Sequence, residues 1–234
     1  MTDRNPARLD AQLRWYAATI PFAGAVVADV GANVGRLSQF FAEAVGDHGR
    51  VVSIEPLAEN VAAIRERIAA CNAADRWTIE ACAASGRKGS ATLALFRTPE
   101  GEWNSRVVAG KGARKVPMRP LSALVPDATV VKLDIEGHEY EVLEEALPRL
   151  ECAHSWAIEL HAVPGVPLQH ALGLLMAHGY RVYAGARRSD DATGEWIGEE
   201  IAATLDWSAI APTRLRADGS AFKMLHVIAR REVP

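Results

Sequence analysis

A glycine-containing turn between an apolar strand and a helix is the feature that most constrains this sequence. In "ADVGANVGRLSQFF", residues 28–41, an apolar run ends in an acid, continues through Gly31, Asn33 and Gly35, and then shows helical spacing of apolar residues. Glycine adopts positive φ angles without strain and lets a ligand approach the backbone, and asparagine tolerates the left-handed region better than most residues. A strand, a tight turn and a helix in this order are typical of a nucleotide-binding cradle.

An acid at the end of the next predicted strand narrows what this cradle can bind. The run "RVVSIE", residues 50–55, ends in Glu55, 20 residues beyond Gly35. An acid at that place can accept hydrogen bonds from ribose hydroxyls. The dinucleotide fingerprint GxGxxG is absent, because positions 33 and 36 are not glycine. The two motifs together predict a nucleoside that is bound without a pyrophosphate signature.

Strands and helices alternate along the chain. Seven strands are predicted, at residues 25–30, 50–55, 77–83, 129–135, 155–160, 180–185 and 222–230. The alternation predicts one α/β domain over residues 1–234, with a doubly wound, mostly parallel sheet and right-handed crossovers. Three segments stand apart: an N-terminal helical cap (1–24), an insertion after strand three (86–118) and an irregular connection before the last strand (186–221). Ligands of such sheets bind beyond the carboxyl ends of the strands.

The composition excludes several classes of protein. Hydrophobic residues make up 49% of the 234 residues, enough for a sizeable core, and the net charge of −3 gives no basic excess for nucleic acid. The N-terminal region lacks a signal-peptide core and a membrane-spanning run. The three cysteines are widely spaced and form no CxxC pair, which favours a reducing cytoplasm. We therefore expect a cytoplasmic protein with neither a nucleic-acid nor a membrane partner; the oligomeric state stays open.

Charged side chains gather at the ends of predicted strands four and five. In "VVKLDIEGHE" the residues Lys132, Asp134 and Glu136 alternate, so they share one face of an extended strand, and "AIELH" places Glu159 and His161 on one face of the next. Burial and like-charge crowding would raise the carboxylate pKa values, and a neighbouring carboxylate would raise the pKa of His161. Such a cluster is typical of a functional site, although ion-pair networks can look the same.

Four segments of the chain resemble one enzyme family. The stretches "DVGANVGRLS", "SIEPLAENV", "VVKLDIEGHEYEVL" and "AIELH", within about residues 26–161, resemble the FkbM family of class I methyltransferases in content and order. The pattern KxDxEGxE, which runs from Lys132 to Glu139, is more specific than the glycine turn. The resemblance implies a Rossmann-like, seven-stranded sheet with an antiparallel last strand. It also implies methyl transfer from S-adenosylmethionine, commonly to a hydroxyl of a sugar or natural product.

The resemblance also implies a set of cofactor contacts. The glycine turn would border the methionine and ribose, Glu55 would hold the ribose hydroxyls, and Pro56 with Cys82 and Ala83 would flank the adenine. Many class I enzymes have an acid after the third strand that contacts the adenine amine; here Glu80 precedes these residues, which leaves that contact open. The cofactor-binding residues implied are Asp29, Gly31, Ala32, Asn33, Gly35, Glu55, Pro56, Cys82, Ala83 and Asp134.

A hydroxyl acceptor must lose its proton as the methyl group is transferred, and a positioned base serves this step. We predict His161 as the base, because the unperturbed pKa of histidine lies near 7, with His138 as the second candidate. Asp134, Glu136 and Glu159 complete the predicted catalytic set.

A metal-assisted mechanism is the alternative. Asp134, Glu159 and His161 offer oxygen and nitrogen ligands for Mg²⁺ or another divalent ion, which could hold the acceptor oxygen and lower its pKa. The metal-free mechanism is ranked first.

Loops at the carboxyl edge of the sheet should select the acceptor. Trp103, Asn104 and Ser105, in the insertion, are the predicted substrate contacts, because a ring beside hydrogen-bonding side chains suits a sugar or polyol. Trp15 and Tyr16, on the N-terminal helix, could cap the site. The predicted function is an O-methyltransferase acting on a small hydroxylated metabolite, sugar or natural product. The alternatives are an N-methyltransferase of a small molecule, an NAD-dependent oxidoreductase and a non-catalytic nucleoside-binding module.

Overall fold

The strands and helices build one large sheet and one small one. A computed structural model describes residues 6–97, 103–108, 114–162, 168–187, 196–200, 213–215 and 221–232. The helices are α1 (Pro6–Thr19), α2 (Arg36–Ala44), α3 (Ala58–Ala70), α4 (Leu121–Leu124), α5 (Glu139–Ala146) and α6 (Leu168–Ala177). The strands are β1 (Val26–Val30), β2 (Arg50–Ile54), β3 (Trp77–Glu80), β4 (Ala83–Ser85), β5 (Gly89–Arg97), β6 (Trp103–Val108), β7 (Arg114–Pro120), β8 (Val130–Leu133), β9 (Ser155–His161), β10 (Arg181–Arg187), β11 (Trp196–Glu200), β12 (Thr213–Leu215) and β13 (Ala221–Arg230).

The large sheet has the order β11-β10-β13-β9-β8-β1-β2-β3, and β12 pairs with the outer part of β13. The strands β9, β8, β1, β2 and β3 run parallel, while β13 lies antiparallel between β9 and β10. The predicted seven-stranded, mostly parallel sheet with an antiparallel last strand is thereby confirmed. The strands β11 and β12 fall within residues 186–221, which the sequence predicted to be irregular; the prediction was wrong there, and residues 188–195, 201–212 and 216–220 lie outside the described part.

Helices cover both faces of the large sheet. The central strands are buried on both sides and therefore appear in the sequence as continuous apolar runs. Alternate residues face opposite layers: Val27 and Val130 belong to the core cluster that also contains Phe41 of α2, whereas Val131 and Trp156 belong to the cluster that includes α5 and α6. None of the helices in the described part of the chain is long and apolar enough to span a bilayer.

A second sheet of four strands, ordered β4-β7-β5-β6, lies beside the first. The predicted insertion, residues 86–118, supplies β5, β6 and most of β7, with residues 98–102 and 109–113 outside the described part. The predicted third strand, 77–83, was too long, because β3 ends at Glu80 and Ala83 begins β4. The small sheet has its own apolar cluster, in which Leu93, Val116 and Met118 pack against Leu57.

The turns after β1 and β8 touch, because these strands are neighbours in register, with Val30 opposite Leu133. Gly31 has a φ of +76°, and a Cβ built there would lie 1.9 Å from the carbonyl oxygen of Asp134. A side chain at this position would therefore collide with backbone. From the sequence, this glycine was expected only to let a ligand approach the backbone.

We predict that Gly31→Ala destabilises the fold much more than Gly24→Ala does. Gly24 has a similar φ of +73°, but a Cβ there meets no heavy atom within 4 Å, so its substitution measures the backbone cost alone, about 1–2 kcal/mol. The collision at Gly31 should add about 1–3 kcal/mol, as overpacking does. Urea unfolding of both variants measures the difference. Equal losses of free energy of unfolding would contradict the contact between Gly31 and Asp134.

Candidate active site

A cleft opens at the carboxyl ends of β1, β2, β8 and β9, and the small sheet forms one of its walls. Most of the residues predicted from the sequence line it. They are Gly31, Ala32, Asn33, Glu55, Pro56, Cys82, Ala83, Asn104, Ser105, Asp134, Glu136, His138 and Glu159. Asp29, Gly35 and His161 lie outside the lining, and the side chain of Trp103 is not among those described.

The glycine turn is held to the end of β2 by hydrogen bonds. Asn33 has a φ of 52°, and its amide donates to Glu55 Oε2 at 2.9 Å. The amides of Gly31 and Ala32 both donate to the carbonyl of Ile54, at 3.0 and 3.2 Å. Gly35 serves packing rather than ligand contact, because a Cβ there would lie 3.0 Å from Ile64. The turn therefore has a fixed shape with its backbone facing the cleft.

Glu55 is a buried acid whose two carboxylate oxygens accept hydrogen bonds from different segments, one from the start of α3 and one from the glycine turn. Its Oε1 accepts from the amide of Leu57 at 3.0 Å and from Asn60 Nδ2 at 3.2 Å, while Oε2 accepts from Asn33. Burial raises the pKa of Glu55 to about 7, against the effect of these hydrogen bonds. A carboxylate has about four acceptor positions, so three donors leave capacity for one more. A ribose hydroxyl of a bound nucleoside could take that position.

The wall next to Glu55 comes from the junction between β3 and β4. Cys82 and Ala83 line the cleft, and burial raises the pKa of the Cys82 thiol to about 11, so the thiol stays neutral. Glu80 is outside the lining and pairs with Arg119 at 3.1 Å. An adenine in this part of the cleft would meet the backbone and small side chains rather than an acid.

Asp29 is buried beneath the cleft and lies outside its lining, and its role as a cofactor-binding residue stays a prediction. Its side chain is fully buried, Oδ2 accepts from the Ser38 hydroxyl, and Oδ1 lies 3.3 Å from Lys132 Nζ. Lys132 also donates to the carbonyl of Gly31 at 2.9 Å. Burial disfavours the charged lysine, but Asp29 and Asp134 hold the pKa of Lys132 above its usual value. Lys132 thus anchors the glycine turn.

Acids and one histidine meet at the ends of β8 and β9. His161 Nε2 lies 3.6 Å from Glu136 Oε2 and 3.6 Å from Glu159 Oε1, and Nδ1 lies 2.9 Å from Glu139 Oε1. Burial opposes the charge, but the hydrogen bond and charge of Glu139 and the charge of Glu159 raise the pKa of His161 to about 10. The imidazole therefore carries a positive charge at neutral pH. A protonated ring outside the cleft lining is a poor base, so the structure argues against the predicted role of His161.

Glu136 reaches the cleft from the turn between β8 and α5. It has a φ of 57°, which is rare for a residue with a side chain, and its Oε1 accepts from Asn104 Nδ2 at 2.7 Å. Burial and the like charges of Asp134 and Glu159 raise the pKa of Glu136 well above the usual range, and His161 opposes this rise. A carboxylate of raised pKa in a cleft is suited to accept a proton near neutral pH.

The remaining predicted residues lie away from the cluster around His161. His138 lines the cleft, with Nε2 3.2 Å from Ser85 Oγ and 3.4 Å from Glu141. Trp15 and Tyr16 do not cap the cleft, because both rings are buried in the core cluster that contains Phe41.

Some lining residues could not be found from sequence motifs. Gln12 of α1 and Arg36, the first residue of α2, both line the cleft. Position 36 follows the glycine turn directly, which is the one sequence signal that could have identified it. Glu139 belongs to the KxDxEGxE pattern, but no role followed from the pattern alone.

The metal-assisted alternative was predicted at Asp134, Glu159 and His161, but among the described residues the group close enough to hold an ion has Glu136 in place of Glu159. Ligand-type atoms of Asp134, Glu136 and His161 all lie within 4.8 Å of one another. Oxygen and imidazole donors at that spacing could contact one divalent ion.

The comparisons with known proteins agree with this fold. Residues 29–182, well over half of the chain, match the family described as the Methyltransferase FkbM domain. No curated protein matches the sequence.

The solved structures that are similar to this chain include two methyltransferases. The methyltransferase FkbM from Methylobacillus flagellatus KT aligns with a TM-score of 0.53 and 18% identity, over 82% of this chain and 47% of that one. A SAM-dependent O-methyltransferase from Thermotoga maritima aligns with a TM-score of 0.52 and 14% identity, over 95% of this chain and 65% of that one. This chain therefore spans about half the length of the first relative.

The structural likeness shows the fold, and the family match covers the glycine turn, Glu55 and the acid cluster in their order along the chain. The chain therefore belongs to the FkbM methyltransferase domain family.

Proposed function

We propose that this protein transfers a methyl group from S-adenosylmethionine to a hydroxyl group of a small metabolite, sugar or natural product. The observation that carries the proposal is Glu136, a carboxylate of raised pKa at the end of β8 in the same cleft as the glycine turn. The net charge of −3 and the acids of the cleft favour a small molecule over a nucleic acid as the acceptor. A cytoplasmic site of action is part of the same proposal.

In this mechanism the chain holds the cofactor, orients the acceptor and removes a proton. When bound, S-adenosylmethionine would supply an electrophilic methyl group on a sulfonium, with S-adenosylhomocysteine as the leaving group. The backbone of Gly31 to Asn33 and the carboxylate of Glu55 would hold the nucleoside. Orientation of the two reactants can contribute up to about 7–11 kcal/mol in well-organised sites.

Glu136 would take the proton of the acceptor hydroxyl as the new carbon–oxygen bond forms. Asn104 fixes one of its carboxylate oxygens, and the positive ring of His161 lies near the other. A positioned base of this kind contributes about 10²–10⁴-fold. This assignment takes the place of His161 as the base.

A direct test of the proposal is methyl transfer to a panel of acceptors. We expect transfer of isotope-labelled methyl groups to sugars, cyclic polyols or phenolic glycosides, detected by mass spectrometry, with amines of matched shape as the comparison. Labelling of the amines alone would replace the proposal with an N-methyltransferase. Activity that disappears in a chelator and returns with Mg²⁺ would favour the metal-assisted alternative at Asp134, Glu136 and His161.

Glu136→Gln should lower kcat by at least about 10²-fold with little change in cofactor affinity, because it removes the base and keeps the shape of the side chain. Glu141→Gln is the matched control, since Glu141 lies on α5 with half of its side chain exposed. Both variants are assayed with the best acceptor of the panel. If Glu136→Gln keeps the turnover of the control, Glu136 is not the base and another group takes the proton of the acceptor hydroxyl.

Glu55→Gln should weaken S-adenosylmethionine binding by about 1.5–3 kcal/mol, the usual range for a hydrogen bond to a charged group. Because the pKa of Glu55 is raised to about 7, the free protein holds a proton there at lower pH, and this proton must leave before the carboxylate accepts a hydroxyl. Affinity should therefore rise between pH 6 and pH 8, by at most about tenfold per pH unit.

Calorimetry at pH 6, 7 and 8 measures both effects. Glu59→Gln serves as the control, because Glu59 also lies at the start of α3 but is exposed and pairs with Arg114. Wild-type affinity in Glu55→Gln, with the same pH dependence, would rule out the ribose assignment.

A further inference from the structure

One buried carboxylate oxygen joins three separate donors at the edge of the cleft. Glu139, the first residue of α5, is fully buried. Its Oε1 accepts from the amide of Ile135 at 3.1 Å and from the amide of Gly137 at 3.1 Å, and it lies 2.9 Å from His161 Nδ1. A buried carboxylate is costly unless it is hydrogen-bonded, so this arrangement is strongly specified.

Two of the donors bracket Glu136 along the chain. The amides of Ile135 and Gly137 stand immediately before and after it, and Glu136 itself has a φ of 57°. A residue with a side chain keeps such a conformation only where its surroundings hold it, and strained conformations of this kind occur often at functional sites. Glu139 therefore holds the turn that carries Glu136 into the cleft.

The third donor fixes the ring of His161. Because Nδ1 is bound by Glu139, Nε2 faces Glu136 and Glu159, at 3.6 Å from each. The ring is nearly completely buried on β9, and this hydrogen bond joins it to α5, while the Tyr140 hydroxyl of α5 donates to the His161 carbonyl at 3.2 Å. The same oxygen thus sets the places of the cleft carboxylate and of the cation beside it.

We propose that Glu139 is the positioning residue of this site: its carboxylate holds the turn from Asp134 to Gly137 and the ring of His161 in one fixed arrangement. The proposal rests on the proposed function in one respect, that Glu136 receives the proton. The turn also borders the cofactor end of the cleft, because Asp134 and Ile135 line it and the Asp134 carbonyl packs on Gly31. Loss of the Glu139 carboxylate should therefore also weaken the binding of the cofactor.

The same helix provides a control for a purely structural role. Glu145 is also buried, with 8% of its surface exposed, and its carboxylate accepts from the hydroxyl and the amide of Ser122. It lies near the other end of α5 and does not line the cleft. Replacing it removes a buried carboxylate without touching the turn at Glu136.

The experiment compares Glu139→Leu, Glu139→Gln and Glu145→Leu, with S-adenosylhomocysteine as the probe. Calorimetry measures its affinity, amide exchange measures protection at Ile135 and Gly137, and proton NMR follows the low-field N–H signal of the His161 ring. Glu139→Leu should lose the signal and the protection and bind the probe at least about tenfold more weakly. Glu139→Gln keeps an acceptor oxygen, so it should retain the protection, while the signal moves upfield because the acceptor is neutral.

Glu145→Leu should lower the melting temperature and leave all three measurements unchanged. If Glu139→Leu resembles Glu145→Leu, the proposal is wrong. If Glu139→Leu does not fold, Glu139→Gln decides, because an unmoved His161 signal would equally overturn the proposal. None of these measurements needs a methyl acceptor, so a failure to methylate hydroxyls would remove the proposed function and leave the positioning role standing.

Discussion

The contact between the turns after β1 and β8 is the constraint on which the rest of the site depends. Lys132 reaches from β8 to the carbonyl of Gly31 and pairs with the buried Asp29, while the Asp134 carbonyl occupies the space that a side chain at position 31 would need. A buried ion pair is costly to build and more costly to break, so the two turns keep one relative position. The glycine turn and the acid cluster are thereby fixed to each other.

Charge at the ends of β8 and β9 is balanced inside the protein rather than by solvent. The positive ring of His161 stands among Glu136, Glu139 and Glu159, and burial makes each of these interactions stronger than it would be in water. The ring thereby lets acids remain close together in a partly enclosed cleft. A histidine that serves this purpose is a counter-ion, and for this reason we propose a neighbouring carboxylate as the proton acceptor.

The large sheet and the glycine turn could be predicted from the sequence, because both depend on local patterns. Continuous apolar runs such as β8 define buried strands, and glycines with positive φ define the turn. The small sheet was harder to predict from the sequence, because β4 is short and β7 is rich in charged residues, so neither shows the apolar pattern of a buried strand. The state of His161 depends on distances to acids from other elements, and the role of Glu139 depends on complete burial; neither can be read from spacing along the chain.

The small sheet has a consequence for how proteins of this fold could diversify. Its strands pack around their own apolar cluster, and it contributes Leu93, Asn104, Ser105 and Val107 to the cleft wall. The residues of the glycine turn and of the acid cluster follow strands of the large sheet, and the hydrogen bond from Asn104 to Glu136 joins the two sheets. The other cleft-facing positions of the small sheet could therefore be resurfaced to accept a differently shaped molecule, provided that Asn104 keeps its hydrogen bond to Glu136.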